Sequence, residues 1–597
     1  MEMINMQYKT KIDFSAFFVS NDDFNSHLIQ LSKENLSPSE FKSKSLKAQL
    51  DWYYAKYLEW EKLYSYNEVK SDLNLSNQVY NQNREIINRI KSYLDSLKNI
   101  INEEIMSIDM SLDEYFAKNK ELKNYYMVFY NIMRKKGHLD KRGLSAKVLP
   151  YVSRINSLYN TLMNVEFPTE EIVFNGENIK LTTKNYNSLM LKVTPEERKN
   201  LAATYFQSLS KINKTISSLL NMRYQIFQDL ATEAGYSSIL EHVLGEDDLS
   251  TKITDNLLKN ANNSLESLKK YYVLKRQELG LDEMHFYDRR EGTDESKIDF
   301  DTAVNNVIKA LSPLGSKYLK RLKEILNCGL IDVYPSENKY PGGYHLRNYT
   351  QSLIVMNSHD TMRDSYTIAH ELGHAINSSF IKETHQFSDF HFSNFLSEVT
   401  SLTNEILMAD YYFEQASTDE EKVIILEQKI GKFIANVYTS IMWFEFEDGI
   451  CKAIQNGRPM TPDEMIALYQ KLYLKYNPEI VFDDYLKYGY VTRLHYFMGN
   501  YCYYNFQYAT GMLMATKLAN DIKNNVSDSR EKYLQFLHVG GSMPTLEALK
   551  VADLDLTNEE IIADGFKYFA KDVASYEKLV LKRQKLSEII KITIIIF

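Results

Sequence analysis

Apolar residues recur at intervals of three and four over long parts of the chain, which is the spacing of one face of an α-helix. The stretches 46–73 and 86–100 both show it, the first with Leu46, Leu50 and Tyr53 on one face. Proline breaks helix interiors, and neither stretch contains one. The pattern therefore predicts two long amphipathic helices in the N-terminal part of the chain.

Several further helices have recognisable starts. Thr194 and Thr461 each place a hydroxyl before a proline at the first helical position and a glutamate at the third, and Thr557 with Glu560 repeats this box without the proline. Such a hydroxyl accepts a backbone hydrogen bond that the helix itself leaves unmade. We expect a helix to begin at each of these points.

Strand signals are confined to two regions. The segments 172–174 and 179–181 flank Asn175-Gly176, a pair that accepts the positive φ angles of a tight turn, and they predict a hairpin. The second region covers 329–334 and 343–357 and ends in an apolar run. We predict a mostly α protein with one small β-sheet.

A domain boundary is expected near residue 190, after the hairpin. The predicted organisation is an N-terminal helical domain with a small hairpin over 1–190, a second domain over 191–590 and a tail over 591–597.

The composition is that of an ordinary folded protein. The 597 residues are 44% hydrophobic and 25% charged, with a formal net charge of −9. These values argue against a disordered chain and give no reason to expect nucleic acid or an anionic membrane as a partner.

Cysteine usage and hydropathy bear on the compartment. Cys328, Cys451 and Cys502 lie far apart in no paired spacing, which argues against a disulfide framework and fits a reducing compartment. No apolar stretch reaches the roughly 18 to 20 residues that span a bilayer. The segment 1–18 lacks the uninterrupted apolar core of a secretory signal. We expect a soluble cytoplasmic protein.

Candidate chemistry is concentrated at His370-Glu371-Leu372-Gly373-His374. Residues four apart share one helix face, so both imidazoles would point to one place and bind a zinc ion at about 2.0–2.1 Å. Glu371 would lie beside the metal and take a proton from a metal-activated water. The alternative is a chance match with two histidines that face solvent.

A third ligand is expected because catalytic zinc usually has three protein ligands and one open position. Glu398 follows His374 by 24 positions (398 − 374) and lies between apolar residues at helical spacing. A carboxylate there is costly to bury unless it is paired or bound to metal. We predict Glu398 as the third ligand, with a rim salt bridge as the alternative. Glu405, on the same helical face, is a competing ligand or a partner of one.

At this point the chain resembles the oligoendopeptidase F branch of the thimet oligopeptidase family of zinc metallopeptidases. The segments that carry the resemblance are Tyr366-Thr-Ile-Ala-His-Glu-Leu-Gly-His374 and Ser397-Glu-Val-Thr-Ser401, with further matches at 174–181, 341–344, 355–357, 507–511 and 540–542. Together they span roughly residues 110 to 570. The combination is more specific than the zinc motif alone.

The resemblance implies a fold and a site. It implies a large, mostly helical ellipsoid with a deep channel that admits short peptides, and a small β-sheet near the zinc. It also implies one Zn²⁺ held by His370, His374 and Glu398, with Glu371 as general base. The domain over 191–590 would be catalytic.

The family also uses a histidine and tyrosines from a C-terminal segment to bind substrate and the developing oxyanion. The resemblance implies that His495, Tyr501, Tyr504 and Tyr508 take these roles here. The spacing of 13 between His495 and Tyr508 (508 − 495) departs from the family pattern and requires an insertion. Aromatic side chains on a helix also serve as core, which is the alternative for the tyrosines.

Three other positions have two interpretations each. Gly342-Gly343 precedes either a strand edge that pairs with the peptide or an ordinary turn. Gly540-Gly541 is either a flexible loop at the channel mouth or a plain turn. Asp364 either orients a metal ligand or caps a helix.

The function predicted is zinc-dependent hydrolysis of internal bonds in short oligopeptides. One alternative is a zinc peptidyl-dipeptidase or carboxypeptidase of the same chemistry. The alternative from another class is a peptide-binding protein whose zinc is structural, which would fill all four positions with protein ligands, usually including cysteine. No cysteine lies near the motif in sequence.

Overall fold

The protein is mostly α-helical, as predicted. The computed structural model describes residues 8–138, 143–174, 176–289 and 296–596. No helix among these residues has the length and apolar character that crossing a membrane requires.

The helices are numbered along the described chain. They are α1 (Asn21–Lys33), α2 (Pro38–Lys42), α3 (Leu46–Leu73), α4 (Gln78–Met106), α5 (Leu112–Lys118), α6 (Tyr126–Met133), α7 (Leu144–Asn164), α8 (Tyr186–Met190), α9 (Pro195–Ser210), α10 (Asn213–Glu233), α11 (Ile239–Glu246), α12 (Thr251–Asn263), α13 (Leu265–Glu278), α14 (Phe300–Ala310), α15 (Gly315–Asn327), α16 (Met362–Thr384), α17 (Asn394–Gln415), α18 (Asp419–Phe433), α19 (Ser440–Gln455), α20 (Pro462–Tyr476), α21 (Asn505–Lys523), α22 (Ser529–Phe536), α23 (Thr545–Val551) and α24 (Glu559–Ile596).

The strands are short and few. They are β1 (Glu170–Phe174), β2 (Glu177–Leu181), β3 (Met284–His285), β4 (Ile331–Asp332), β5 (Tyr344–Leu346), β6 (Leu353–Val355) and β7 (Ile480–Val481).

The chain forms two compact units, and each is assembled from three separate stretches. The first unit comprises Met1–Lys136, Asp294–Gln415 and Ala515–Asp555, and the second comprises Gly137–Thr293, Ala416–Met514 and Leu556–Phe597. Neither unit coincides with the predicted division at residue 190. That prediction used a local turn signal, which carries no information about where a chain returns later.

The first unit is built around the two predicted long helices. α3 has the predicted bounds, and α4 is longer than the predicted 86–100. Their apolar faces form one buried cluster, to which Leu353 and Val355 of β6 also belong. The sheet that carries β6 therefore rests on this helix pair.

Three small sheets are present among the described residues, and two of them lie in the regions that the sequence indicated. The predicted hairpin is β1 with β2, antiparallel, although Asn175 of its turn lies outside the described residues. The second predicted region forms a three-stranded sheet in the order β4-β6-β5, with β5 at an edge. The unexpected sheet pairs β3 with β7 in parallel, two residues each. Strands this short have no recognisable period in the sequence.

The predicted helix starts are correct at two of three positions. Thr194 and Thr461 accept hydrogen bonds from the backbone nitrogens three residues on and form the expected capping boxes. The third prediction is wrong by one residue, because Asn558, not Thr557, accepts from the backbone nitrogen of Glu560 at 3.1 Å.

The chain end is helical where a separate tail was predicted. α24 continues to Ile596, and Phe597 lies outside the described residues. No proline or glycine follows Gly565, so nothing in the sequence ends the helix earlier.

Candidate active site

Two helices of the first unit, α16 and α17, carry the predicted metal ligands. Their close approach depends on Gly373, because a Cβ atom at that position would lie 2.8 Å from the Cα atom of Ser401 and 3.0 Å from the carbonyl oxygen of Thr400. Asn404 of α17 then donates from its side chain to the carbonyl oxygen of Ala369 at 2.9 Å. Glycine inside the motif thus lets the two backbones touch.

His370, His374 and Glu398 come together at this contact. The Nε2 atoms of the two histidines are 3.2 Å apart. Oε2 of Glu398 lies 3.6 Å from Nε2 of His370 and 3.8 Å from Nε2 of His374. Among the described residues these three form the one group of three or more His, Cys, Asp or Glu side chains with metal-ligating geometry.

A second layer of side chains fixes each of the three. Glu405 accepts from Nδ1 of His370 at 2.6 Å. Ser397 places its Oγ 3.3 Å from Nδ1 of His374, and Ser401 donates to Oε2 of Glu398 at 3.0 Å. A carboxylate only accepts, so the proton of His370 is on Nδ1 and its Nε2 lone pair faces the cluster.

The donor set fits a zinc ion. Two imidazole nitrogens and one carboxylate oxygen are the ligands that catalytic zinc takes from proteins. A tetrahedral ion with bonds of about 2.0–2.1 Å separates its ligands by about 3.3 Å. The observed separations of 3.2 to 3.8 Å are close to that value.

Glu371 is buried beside the cluster, with 6% of its surface exposed. Burial, reinforced by the nearby Glu398, raises the pKa of its carboxyl to about 7, while His370 and a hydrogen bond from the backbone nitrogen of His345 act in the opposite direction. A carboxylate with such a pKa can accept a proton near neutral pH and release it again.

The edge strand β5 faces this site. His345 stacks beside His374 with ring centroids 5.9 Å apart, and its Nε2 atom is buried without a hydrogen-bond partner. Burial first, and then Arg347 and His370, lower the pKa of His345 to about 3, so its ring is neutral. Gly343 therefore precedes an edge strand, and pairing of that edge with a peptide stays a prediction.

The sequence did not single out the side chain of Arg347 or the hydroxyls of Ser397 and Ser401. The alternation of His345 and Arg347 along one strand face was the signal for the arginine. The serines had none, because their roles depend on which helix packs against α17.

The other open positions are decided by local contacts. Asp364 forms a capping box with Thr361 at the start of α16, accepting from its backbone nitrogen at 2.8 Å. Gly540 and Gly541 pack closely on 381–391, where a Cβ atom at Gly541 would lie 2.3 Å from the carbonyl oxygen of His391. This packing corresponds to a tight turn and not to a flexible loop.

His495 and the three tyrosines belong to the second unit, where they form a cluster of their own. The ring of His495 lies 5.9 Å from that of Tyr508, which in turn lies 5.2 Å from that of Tyr504. Tyr501 is 59% exposed and lies 6.0 Å from Tyr504. Burial first, and then Arg493, lower the pKa of His495 to about 4, so its ring is neutral.

The segment between His495 and Tyr504 is held by a buried arginine. Arg223 of α10 donates to the carbonyl oxygens of Gly499 at 3.2 Å and Tyr501 at 2.8 Å. Gly499 and Tyr503 both have positive φ angles, 48° and 55°. The additional residues noted in the sequence thus form an anchored turn.

Comparison with known proteins gives a family. The family model described as Peptidase family M3 matches residues 188–568. Oligopeptidase PepF of Bacillus subtilis is 27% identical over 531 residues, which are 87% of this chain and 79% of that protein. An oligoendopeptidase F homologue of Borreliella burgdorferi is 24% identical over 588 residues, 95% of this chain and 98% of its own.

Solved structures share the fold. A chain from Chlamydophila abortus superposes with a TM-score of 0.87 at 24% identity and covers 96% of this chain and 99% of its own. The crystal structure of oligoendopeptidase-F from Enterococcus faecium gives a TM-score of 0.71 at 23% identity, with 94% and 99% covered.

Proposed function

This chain belongs to peptidase family M3, and we propose that it hydrolyses internal bonds of short peptides with a zinc ion held by His370, His374 and Glu398. As a member of that family with oligoendopeptidase F relatives, it is a metallo-oligopeptidase. The ligands, the base and the zinc ion itself are the parts that we propose.

One observation carries the proposal. Two ring nitrogens and one carboxylate oxygen from two helices converge with separations of 3.2 to 3.8 Å. In each ring the other nitrogen, Nδ1, already has a partner: Glu405 for His370 and Ser397 for His374. With the proton of each ring on Nδ1, three acceptor atoms face one another at these distances, an arrangement that a cation between them stabilises.

The chemistry divides between the ion and the chain. A bound zinc ion supplies a Lewis acid that polarises a carbonyl and lowers the pKa of water. Glu371 takes a proton from the attacking water and gives it to the leaving amine. The backbone nitrogen of His345 orients that carboxylate, while Glu405 and Ser397 fix the orientation of the two imidazoles.

The roles in binding the oxyanion rest on the resemblance. We propose that His495, with one of Tyr501, Tyr504 and Tyr508, donates a hydrogen bond to the oxygen on which negative charge develops. The neutral ring that burial gives His495 keeps one N–H donor, which is what this role requires.

The alternatives make different demands on the site. An exopeptidase of the same chemistry needs a free peptide terminus. A structural zinc needs a fourth protein ligand, usually cysteine. Among the described residues the cluster has three members, and none of them is a cysteine. We propose that the fourth position is left for the reaction, and that the protein acts on peptides in the cytoplasm.

The test is a product map. Peptides of increasing length, with both termini blocked or free, are incubated with the enzyme with and without a chelator, and the products are identified by mass spectrometry. Cleavage of blocked peptides that stops with the chelator supports the proposal. Cleavage that requires a free terminus would favour the exopeptidase, and a zinc-loaded protein without cleavage would favour a structural ion.

A further inference from the structure

Arg347 lies one residue beyond β5 and is fixed on two sides. Its Nη2 atom donates to Oγ of Ser397 at 2.8 Å. Its guanidinium lies over the ring of Phe392, 4.0 Å from the centroid. A guanidinium stacked on an aromatic ring and bonded at one edge has lost most of its freedom, so it can bind a further partner with little additional ordering.

The charge of Arg347 has no close counterpart. Among the residues that the structure describes, no carboxylate forms an ion pair with it. Glu398 and Glu61 attract it from beyond ion-pair distance, and Glu61 is already engaged by His391 at 3.0 Å and by the backbone nitrogen of Tyr349 at 2.9 Å. Burial outweighs both attractions and lowers the pKa of the guanidinium to about 10.

A second arginine of the same unit has similar surroundings, but its charge is paired with a carboxylate. Arg321 also lies over an aromatic ring, that of Phe380 at 5.2 Å, and also donates to a serine, Ser379. Its other nitrogen is paired with Glu383 at 2.6 Å. Arg347 has the ring and the serine but lacks the carboxylate.

Arg347 has hydrogen-bond donors left after its bond to Ser397. Its Nε and Nη1 atoms make no hydrogen bond within the described residues, and neither atom is fully buried. One hydrogen of Nη2 is left after the bond to Ser397, and with an N–H of Nε or of Nη1 it forms a planar two-donor fork that matches the two oxygens of a carboxylate.

Arg347 lies close to the predicted metal ligands. Two hydrogen-bond distances, 2.8 and 3.3 Å, join Nη2 of Arg347 through Oγ of Ser397 to Nδ1 of His374. An extended peptide advances about 3.3–3.6 Å per residue. A group bound at Arg347 would therefore belong to a residue within about three positions of the bond that is cut.

We propose that Arg347 is a carboxylate-binding subsite that selects peptides with a carboxylate within about three residues of the scissile bond. The carboxylate is the C-terminal group of a short peptide or the side chain of an aspartate or glutamate, since both offer the same two oxygens. This inference rests on the proposed function of the site.

The experiment compares four forms of one short N-acetylated peptide. Glutamate or glutamine occupies a position near the cleaved bond, and the C-terminus is either free or amidated. We expect the wild-type enzyme to favour a peptide with a carboxylate by about 10- to 100-fold in kcat/KM, the effect of a charge-assisted hydrogen bond. The amidated glutamate peptide and the free glutamine peptide show which carboxylate is selected.

Variants assign the preference to Arg347. Arg347→Met should reduce the ratio between carboxylate and neutral peptides to about one, and Arg347→Lys should keep part of it. Arg321→Met, the matched control, should leave both activity and ratio unchanged. Zinc content and the thermal midpoint are measured for each variant.

The possible outcomes separate the two proposals. No preference in the wild type, or an unchanged ratio in Arg347→Met, would overturn the subsite. So would a loss in Arg347→Met that is equal for all four peptides. Failure of the zinc-loaded wild type to cut any of them would count against the proposed function instead.

Discussion

Glu405 accepts a hydrogen bond of 2.6 Å from His370, on the side of the ring away from His374. Glu405 is seven positions after Glu398 (405 − 398) on α17, so one helix supplies both a candidate ligand and the carboxylate that orients another. Of the two roles left open by the sequence, this relationship favours that of a partner, because Glu405 contacts a predicted ligand and lies outside the three-membered cluster.

Replacing Glu405 should weaken metal binding without abolishing it. Loss of a carboxylate behind a ligating histidine typically costs about 10- to 100-fold in metal affinity. Glu405→Gln should show this loss in a zinc titration against a competing chelator. Glu414→Gln, which removes a carboxylate paired with Lys523 further along the same helix, is the control. Equal zinc affinity of Glu405→Gln and wild type would contradict the assignment.

Replacing Glu371 should separate metal binding from turnover. Glu371→Gln should keep bound zinc and lose about 10²- to 10⁴-fold in kcat, the usual contribution of a general base. His370→Ala should lose the metal as well. Steady-state kinetics and zinc analysis on the same samples check both. A Glu371→Gln variant with near-wild-type turnover means that another group takes the proton.

Adding one methyl group at Gly373 should disturb the site through the backbone. Alanine is the better helix former by about 1 kcal/mol, but overpacking costs about 1–3 kcal/mol, and the new atom would meet the Cα atom of Ser401 at 2.8 Å. Gly373→Ala should lower both the urea midpoint and zinc affinity.

Gly137→Ala is the matched control for that variant, because a Cβ atom there meets nothing within 4 Å. It should leave both properties as they are. If Gly373→Ala behaves like the control, the two helices do not depend on their close contact.

His495→Ala should lower kcat by about 10²- to 10³-fold, the typical cost of removing one oxyanion donor, with a smaller change in KM. His495→Gln, which keeps an N–H donor, should recover part of the rate. A change confined to KM would assign His495 to substrate binding instead.

Glu447 of the second unit should make stability fall as pH rises. It accepts from Tyr224 at 2.9 Å and from the backbone nitrogen of Tyr503 at 2.8 Å, yet burial raises its pKa from 4.5 to about 7. Between these pH values the folded chain holds a proton that the unfolded chain has released. The free energy of unfolding therefore decreases from pH 4.5 to 7, by at most about 3 kcal/mol from this group.

Glu447→Gln keeps an acceptor and removes the titration, so urea unfolding across this pH range should lose that decrease. Glu445→Gln, on the same helix, removes a carboxylate paired with Lys475 and should retain it. Parallel pH profiles for wild type and Glu447→Gln would contradict the prediction.

Local sequence patterns predicted much of this fold. The bounds of α3, the caps at Thr194 and Thr461 and the hairpin of β1 and β2 follow from periodicity, capping chemistry and a turn pair. The β3–β7 pairing and the composition of the two units did not follow, because both join residues distant in sequence.

The candidate site was predictable to the same extent. Two histidines one helical turn apart and a carboxylate beside a later apolar stripe led to the three residues that converge. Arg347 and Ser397 were not found: the arginine had only its alternation with His345 as a signal, and the role of the serine depends on which elements pack against α17. The choice among Tyr501, Tyr504 and Tyr508 as the partner of His495 at the oxyanion remains a prediction, because it too depends on how the folded elements pack.

The interleaved arrangement of the first unit has a consequence for biosynthesis. Asn377 of α16 donates to the carbonyl oxygen of Leu537 at 3.0 Å, and Leu537 is in the last stretch of that unit. On the ribosome, the histidines and Glu398 are translated well before this contact can form. More than a hundred further residues must therefore be translated after this helix pair before its unit is complete. A product truncated ahead of Ala515 would lack the contact between Asn377 and Leu537.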